Sequence, residues 1–383
     1  MTTFPAGKPV TGKDLVGREE IVRQILTYVT HGENVVLIAP RRFGKTSVLL
    51  ETLNRIQTED YFKIYIDLFT TPTKRFFAER ITEEVLSNKR LDAIFHRFKQ
   101  NVTELVQQIE LRPVINDFAF IVGFGEKQKD ENYLLENSLD FIDQFSLKNN
   151  CRMVCGFDEF GDIGKFDGDE ILKMFRSKIQ LQQNTAYIFS GSYQSVMNQI
   201  FINSSAPFYR LTRIVNLGPV PYNDFFTYLS DKFKSKEISI GDDAINRLLK
   251  FTEGHPYYTQ LSAQTIELHF SPGRKADNQS ITASDIPDVV EMMVQIENSY
   301  LEKVWEEICG VKENVQIILP VINGVQNLYG MLDLKKLNVS RALRRMISMG
   351  IIQKIKSRYI FTDTLLRYWI KTRVLKLDKT ECV

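Results

Sequence analysis

Apolar residues along this chain switch between two periods. Short apolar runs at 35–38, 151–157, 185–190 and 214–217, with an alternating stretch at 61–67, have the length and β-rich content of strands. Between them, spacings of three and four residues mark helices. Ile21, Ile25 and Val29 follow Glu19-Glu20, a helical pattern continues after Gly44, and others cover 74–98, 133–148 and 169–183. Strands alternating with helices predict an α/β fold with a parallel sheet. From 222 to 300 the pattern is purely helical, with pieces at 225–233, 242–251 and 257–270 and a break at Gly254-His255-Pro256. A polar loop at 271–279 follows, and then a helix start that Thr282 or Ser284 would cap. From about 301 the character changes again. Helical pieces at 315–322, 332–334 and 339–349 precede two β-rich runs, 350–355 and 359–361, around Lys356-Ser357-Arg358. Three helices and a two-stranded wing make a winged helix-turn-helix.

These patterns divide the chain into a flexible tail at 1–12, a core at 13–221, a helical lid at 222–300 and the winged helix at 301–383. Residues 88–132, with two short strands expected inside 111–125, read as an insertion on the core. The length of 383 residues allows several cores, and 43% hydrophobic with 25% charged residues is an ordinary globular composition. A net charge of +2 identifies no partner, but its distribution does more. From Lys335 through Lys376 there are 12 basic side chains against the single acid Asp363. In helix 339–349, Ala342, Leu343, Met346 and Ile347 would face inward and leave Arg341, Arg344 and Arg345 outward. With Lys356 and Arg358 these suit contact with duplex DNA, or the solvated face of a protein-interaction module. Cys151, Cys155, Cys309 and Cys382 have no metal-ligand spacing. With no apolar run near membrane length and no leader-like start, a cytosolic protein is expected.

The first strand opens into Ala39-Pro40-Arg41-Arg42-Phe43-Gly44-Lys45-Thr46-Ser47. A strand, a tight loop and a helix N-terminus turn backbone N–H groups and the positive end of a helix dipole toward a phosphate chain. The pattern is that of a P-loop with Ala39 in place of its first glycine. Lys45 would reach the β- and γ-phosphates of ATP, and the Thr46 hydroxyl would ligate Mg²⁺. A second buried strand closes on Asp158-Glu159. Asp158 would hold the Mg²⁺ shell, and Glu159 would orient and deprotonate the attacking water. Ser192, after the strand at 185–190, is either a γ-phosphate contact or part of a simple turn. Arg210 and Arg213, beside the last strand, are either surface ion-pairing groups or compensate transition-state charge, in cis or across a subunit boundary. Val16-Gly17-Arg18 reads as the start of a surface helix or as a clamp on adenine or ribose. Asp67 ends its strand as a loop cap or a site residue. His255-Pro256 is either a hairpin turn or a lid element reaching the nucleotide.

With these residues assembled, the sequence resembles the archaeal/bacterial ATPase family within the AAA+/STAND group of signalling NTPases. The stretches that carry the resemblance are LVGREE (15–20), APRRFGKTS (39–47), CGFDEF (155–160), YIFSGS (187–192), PFYRLTRIVNLGPV (207–220), EGHPYYTQ (253–260) and FTDTLLRYWI (361–370). They run in order through nearly the whole chain. The resemblance implies a P-loop ATPase core of parallel strands, a helical lid and a C-terminal winged helix. It matches Asp158 and Glu159 to the Walker B acids, Ser192 to a sensor-like strand end, Arg210 to the arginine before the last strand, and His255-Pro256 to the lid motif. The chain departs from the pattern at Ala39 and in lacking a glycine before Arg210, which keeps Arg213 in contention. The expected function is an ATP-binding, slowly hydrolysing switch whose nucleotide state moves the winged helix. The alternatives are a DNA-engaging AAA+ ATPase laid out like origin initiators or transposition regulators, and an interaction scaffold stabilised by nucleotide. Expected partners are ATP or ADP, duplex DNA, and a second protein or a second copy, with no membrane.

Overall fold

The computed structural model describes residues 4–56, 60–88, 130–270, 280–325, 328, 339–355, 358–380 and 382–383. Five strands, β1 (Asn34–Ile38), β2 (Tyr61–Asp67), β3 (Arg152–Asp158), β4 (Thr185–Gly191) and β5 (Thr212–Asn216), form one sheet in the order β2-β3-β4-β1-β5. Every neighbouring pair is parallel. All carboxyl ends therefore lie on one edge, where open parallel sheets place their ligands. The strands alternate between two cores. Val36 and Ile38 with Phe157, Tyr187 and Phe189 join one apolar cluster, while Val35 and Leu37 with Val154 and Ile188 join the other. Both faces are covered, so β4 is buried throughout and reads as a continuous apolar run.

Helices α1 (Glu19–Thr30) and α2 (Lys45–Arg55) pack on one face through Val22, Ile25, Val48 and Leu49. The other face is covered by α3 (Lys74–Ser87), α4 (Glu131–Lys148) and α5 (Asp169–Ile179). A further helix, α6 (Gln194–Phe201), follows β4. The expected strands inside 111–125, and nearly all of the expected insertion, lie outside the described residues. Asn88, at its start, accepts a hydrogen bond from Lys63 N at 2.8 Å.

The rest is helical: α7 (Tyr222–Ser235), α8 (Asp242–Thr252), α9 (Pro256–Phe270), α10 (Ile286–Cys309) and α11 (Lys312–Ile322). Then come α12 (Val339–Ser348), an antiparallel hairpin of β6 (Ile352–Ile355) and β7 (Arg358–Phe361), and α13 (Thr364–Trp369). The expected helical piece at 332–334 lies outside the described residues, as does the loop at 271–279. One apolar cluster joins α7 through α13.

Two sequence expectations need correction. The boundary expected at 300–301 falls inside α10, because nothing between Pro287 and Gly310 breaks a helix there. The expected flexible tail is fastened from Phe4 onward. Phe4 is fully buried among the helices of the second half, and Val10 N and Gly12 N donate to Ser47 Oγ (3.0 Å) and Glu51 Oε2 (2.8 Å) of α2. Burying the Phe4 ring offsets the entropy of ordering the strap.

Candidate nucleotide site

At the carboxyl edge of the sheet, β1 ends and the loop 39–44 leads into α2. Gly44 takes the N-cap position with a left-handed φ of 85° and offers no side-chain cap. The first N–H groups of α2 thus remain available to an anion. A cavity of about 350 Å³ lies against this helix end. Gly44, Lys45, Thr46, Glu159 and Ser192 line one side, and Val16, Val220, Phe225, Pro256 and Tyr257 give it an apolar side from three other elements. The strap 5–10 also lines it, with Pro5, Lys8 and Val10.

Lys45 is buried and folded back, donating to Ala39 O (3.2 Å) and Pro40 O (2.9 Å). Burial lowers its pKa to about 8, against the pull of Glu159 and Asp158. Thr46 Oγ1 donates to Asp158 Oδ2 at 2.6 Å, linking the two halves expected from sequence. Asp158 also accepts from Tyr65 OH (3.2 Å), Glu159 N (3.0 Å) and the Ser190 hydroxyl. A hydroxyl and a carboxylate held this close are the hard oxygen donors that Mg²⁺ takes, so the residues fit that ion. Asp67, in register with Asp158, caps its own turn by accepting from Phe69 N at 2.9 Å. Burial raises its pKa, opposed by the Phe69 N–H bond and reinforced by the nearby Asp158 and Glu159.

Glu159 sits in left-handed backbone at φ 47°. Its carboxylate accepts from Ser192 N at 2.9 Å and from the Ser192 hydroxyl. Ser192 therefore holds Glu159 as well as lining the cavity. Arg18 is a strut. It is buried, and its Nη2 donates to Gly218 O (2.6 Å) and Phe43 O (3.4 Å), tying the loop to the end of β5. Burial brings its pKa down to about 10. Gly17 supplies the turn before it at φ 65°, where a Cβ would stand 2.6 Å from Val220 Cγ1. Ser47 is tied to the strap, and Arg41 lies 5.6 Å from the Tyr193 ring.

His255 faces away from this cavity. Its ring packs edge-on to Phe43 at 4.6 Å and against Tyr258 at 4.3 Å, and it lines a second cavity behind the loop. Burial, helped by Arg42, pushes its pKa down to about 3, so it is a neutral packing group. Its neighbours Pro256 and Tyr257 line the first cavity instead. Arg210 and Arg213 line neither cavity. Arg213 pairs with Val35 in the sheet register, three positions back from the Ile38–Asn216 pair at the loop end, and is bound twice to Glu33 at 3.1 and 2.7 Å. Arg210 is exposed beside the Tyr209 ring, with no ion pair to a described residue. Arg341, Arg344, Arg345 and Arg358 are exposed, while Ala342, Leu343 and Met346 are buried; Lys356 lies outside the described residues.

Sequence reasoning missed the strap, Tyr65 and Tyr257. The Pro-Gly content of 5–12 resembles a tail, and only the apolar Phe4 signalled an anchor. Tyr257 lies within the EGHPYYTQ stretch, beside the His255-Pro256 pair already singled out.

No family profile matches the chain, and no curated protein matches it. Among solved structures, it is similar to a Walker-type ATPase of Pyrococcus abyssi, with a TM-score of 0.66 and 15% identity over 98% of this chain and 99% of that one. It is also similar to the ADP form of the ORC2 protein of Aeropyrum pernix, with a TM-score of 0.52 and 12% identity over 99% and 97% of the two chains. The parallel sheet, the loop leading into α2 and the helices that follow give this chain the fold of the AAA+ type of P-loop ATPase.

Proposed function

We propose that this chain binds ATP with Mg²⁺ in the cavity between α2 and α9, hydrolyses it slowly, and acts as a switch. The observation that carries the reading is the Thr46–Asp158 contact of 2.6 Å beside an uncapped helix N-terminus and a buried lysine. Adenine and ribose would lie against Val16, Val220 and Tyr257. Backbone N–H groups of 43–46 would hold the phosphates, and Lys45 would exchange its two carbonyl partners for phosphate oxygens. Thr46 and Asp158 would hold Mg²⁺, which supplies charge neutralisation at the β- and γ-phosphates. Glu159, once released from Ser192, would take a proton from the attacking water. Two features favour slow turnover: Glu159 is held by Ser192, and the arginines beside β5 lie away from their own cavity. Arg210, free of a carboxylate among the described residues, would serve a second copy. In this reading 13–221 is the ATPase core, the helices that follow form a lid, and the segment after α10 is a winged helix that responds to the nucleotide.

ATP turnover by wild type, Lys45→Ala and Glu159→Gln tests it. Loss in both variants is the expected result; turnover unchanged in Glu159→Gln would leave only a nucleotide-stabilised scaffold.

The exposed arginines of α12 favour a second reading, in which the effector contacts duplex DNA. Replacing Arg344 and Arg345 by Ala should then weaken binding and lower the salt slope by about 2. Unchanged binding would remove this reading.

A further inference from the structure

Arg42 stands at the tip of the phosphate loop in left-handed backbone, at φ 62°. Its guanidinium carbon lies 4.2 Å from the Tyr257 ring centre and 4.9 Å from that of Tyr300. Its Nη1 donates to Glu297 Oε2 at 2.7 Å, and the other Glu297 oxygen accepts from the Tyr257 hydroxyl. Glu297 is only 7% exposed. Burial opposes the charge of Arg42, but the bond and attraction to Glu297 hold its pKa above the ordinary arginine value. A loop cation is thus caged by two aromatic faces and a buried carboxylate. Arg42 also borders both the proposed nucleotide cavity and the second cavity, of about 540 Å³, behind the loop.

Glu297 and Tyr300 belong to α10, the longest described helix. The same helix grips the end of the chain. Asn298 accepts from Trp369 Nε1 at 3.2 Å, and Glu291 accepts from Tyr368 OH at 3.3 Å and pairs with Arg373 and Lys379. One rigid element therefore touches the phosphate loop at one point and the C-terminal segment at several.

We infer that Glu297, through Arg42, is the residue by which α10 reads the occupancy of the phosphate loop. The inference rests on the switch reading and names its transmission point. A triphosphate entering the loop adds negative charge next to the cation that Glu297 holds. Phosphate and carboxylate then compete for Arg42. A buried carboxylate that loses its cation is strongly disfavoured, so α10 must shift or admit water. Because the coupling is reciprocal, C-terminal contacts that fix α10 must also alter nucleotide affinity. Glu297 is a positioning residue and touches no phosphate itself.

The test is hydrogen exchange of the full chain with and without ATP·Mg²⁺, in wild type, Glu297→Gln and Tyr300→Leu, with melting curves to show that the variants fold. In wild type, nucleotide should slow exchange in α2 and change it in 286–309 and 339–348. In both variants the α2 response should persist at saturating ATP·Mg²⁺, while the response of 286–309 and 339–348 falls by about threefold or more. A full distal response in both variants would overturn the inference. Wild type that binds ATP without any distal response would sink the switch reading and this inference with it. Wild type that binds no ATP would remove the site reading beneath both.

Discussion

Lys45 has its ammonium folded onto two carbonyls and a pKa brought down to about 8 by burial. A phosphate chain in the loop would restore an anionic partner and raise that pKa. At pH 8 roughly half the lysine is neutral, so ATP binding should take up about 0.5 proton, falling toward zero by pH 6. Calorimetry in buffers of different ionisation enthalpy reads this directly; zero uptake at pH 8 would contradict the assignment. His255 gives the opposite kind of signal. Its folded pKa of about 3 lies below the ordinary histidine value of 6.5, so the unfolded chain binds the extra proton between those values. Its contribution to stability is therefore complete above pH 6.5 and shrinks as pH falls toward 3. Between pH 6.5 and 5 the wild type should lose about 1.6 kcal/mol more than His255→Gln, read by urea unfolding. Parallel losses would show that the ring does not stay neutral. The meeting of Lys45, Thr46, Asp158 and Glu159 was legible at this scale, since two separate motifs each end at the same sheet edge. The direction of His255 was not, because a ring next to a lid motif carries no sign of which face it presents.

Among elements, the link between the loop 39–44 and α9 depends on tight backbone turns. Gly254 precedes α9 at φ 73°, and a Cβ there would stand 2.4 Å from Val220 O. Gly12, also left-handed at φ 60°, has nothing within 4 Å of its added Cβ. Gly12→Ala should therefore cost only about 1 kcal/mol for the backbone, whereas Gly254→Ala should cost about 3 kcal/mol or more through strain and overlap. Equal losses in urea unfolding would mean that the α9 turn is not set by this contact. The strands were readable because a parallel sheet covered on both faces leaves continuous apolar runs. Helix α10 was split at 300–301 in the sequence reading because composition changes there while helix propensity does not. The short α6 was missed, since eight residues give too little periodicity to separate from a turn.

At the scale of the molecule, the loop 39–44, helix α9 and the C-terminal segment are connected. Phe43 touches His255, His255 touches Tyr258, and the Tyr258 hydroxyl donates to Asp363, which caps α13 through Leu366 N at 2.8 Å. This route of ring contacts and hydrogen bonds runs beside the charged one through Arg42 and Glu297. Neither was legible in sequence, because both join residues more than 90 positions apart whose spacing has no period. The strap 4–12 also lines the cavity and bridges the halves, with Phe4 in one core and Val10 on α2. The whole account depends on nucleotide entering the cavity beneath that strap. The most direct measurement is calorimetric titration of ATP·Mg²⁺ into wild type and Lys45→Ala at equal, verified fold. The account predicts one site per chain in wild type and affinity at least about tenfold weaker in Lys45→Ala, as loss of a charge-assisted bond worth about 1.5–3 kcal/mol implies. No binding by wild type, or equal affinity in the two proteins, would contradict it.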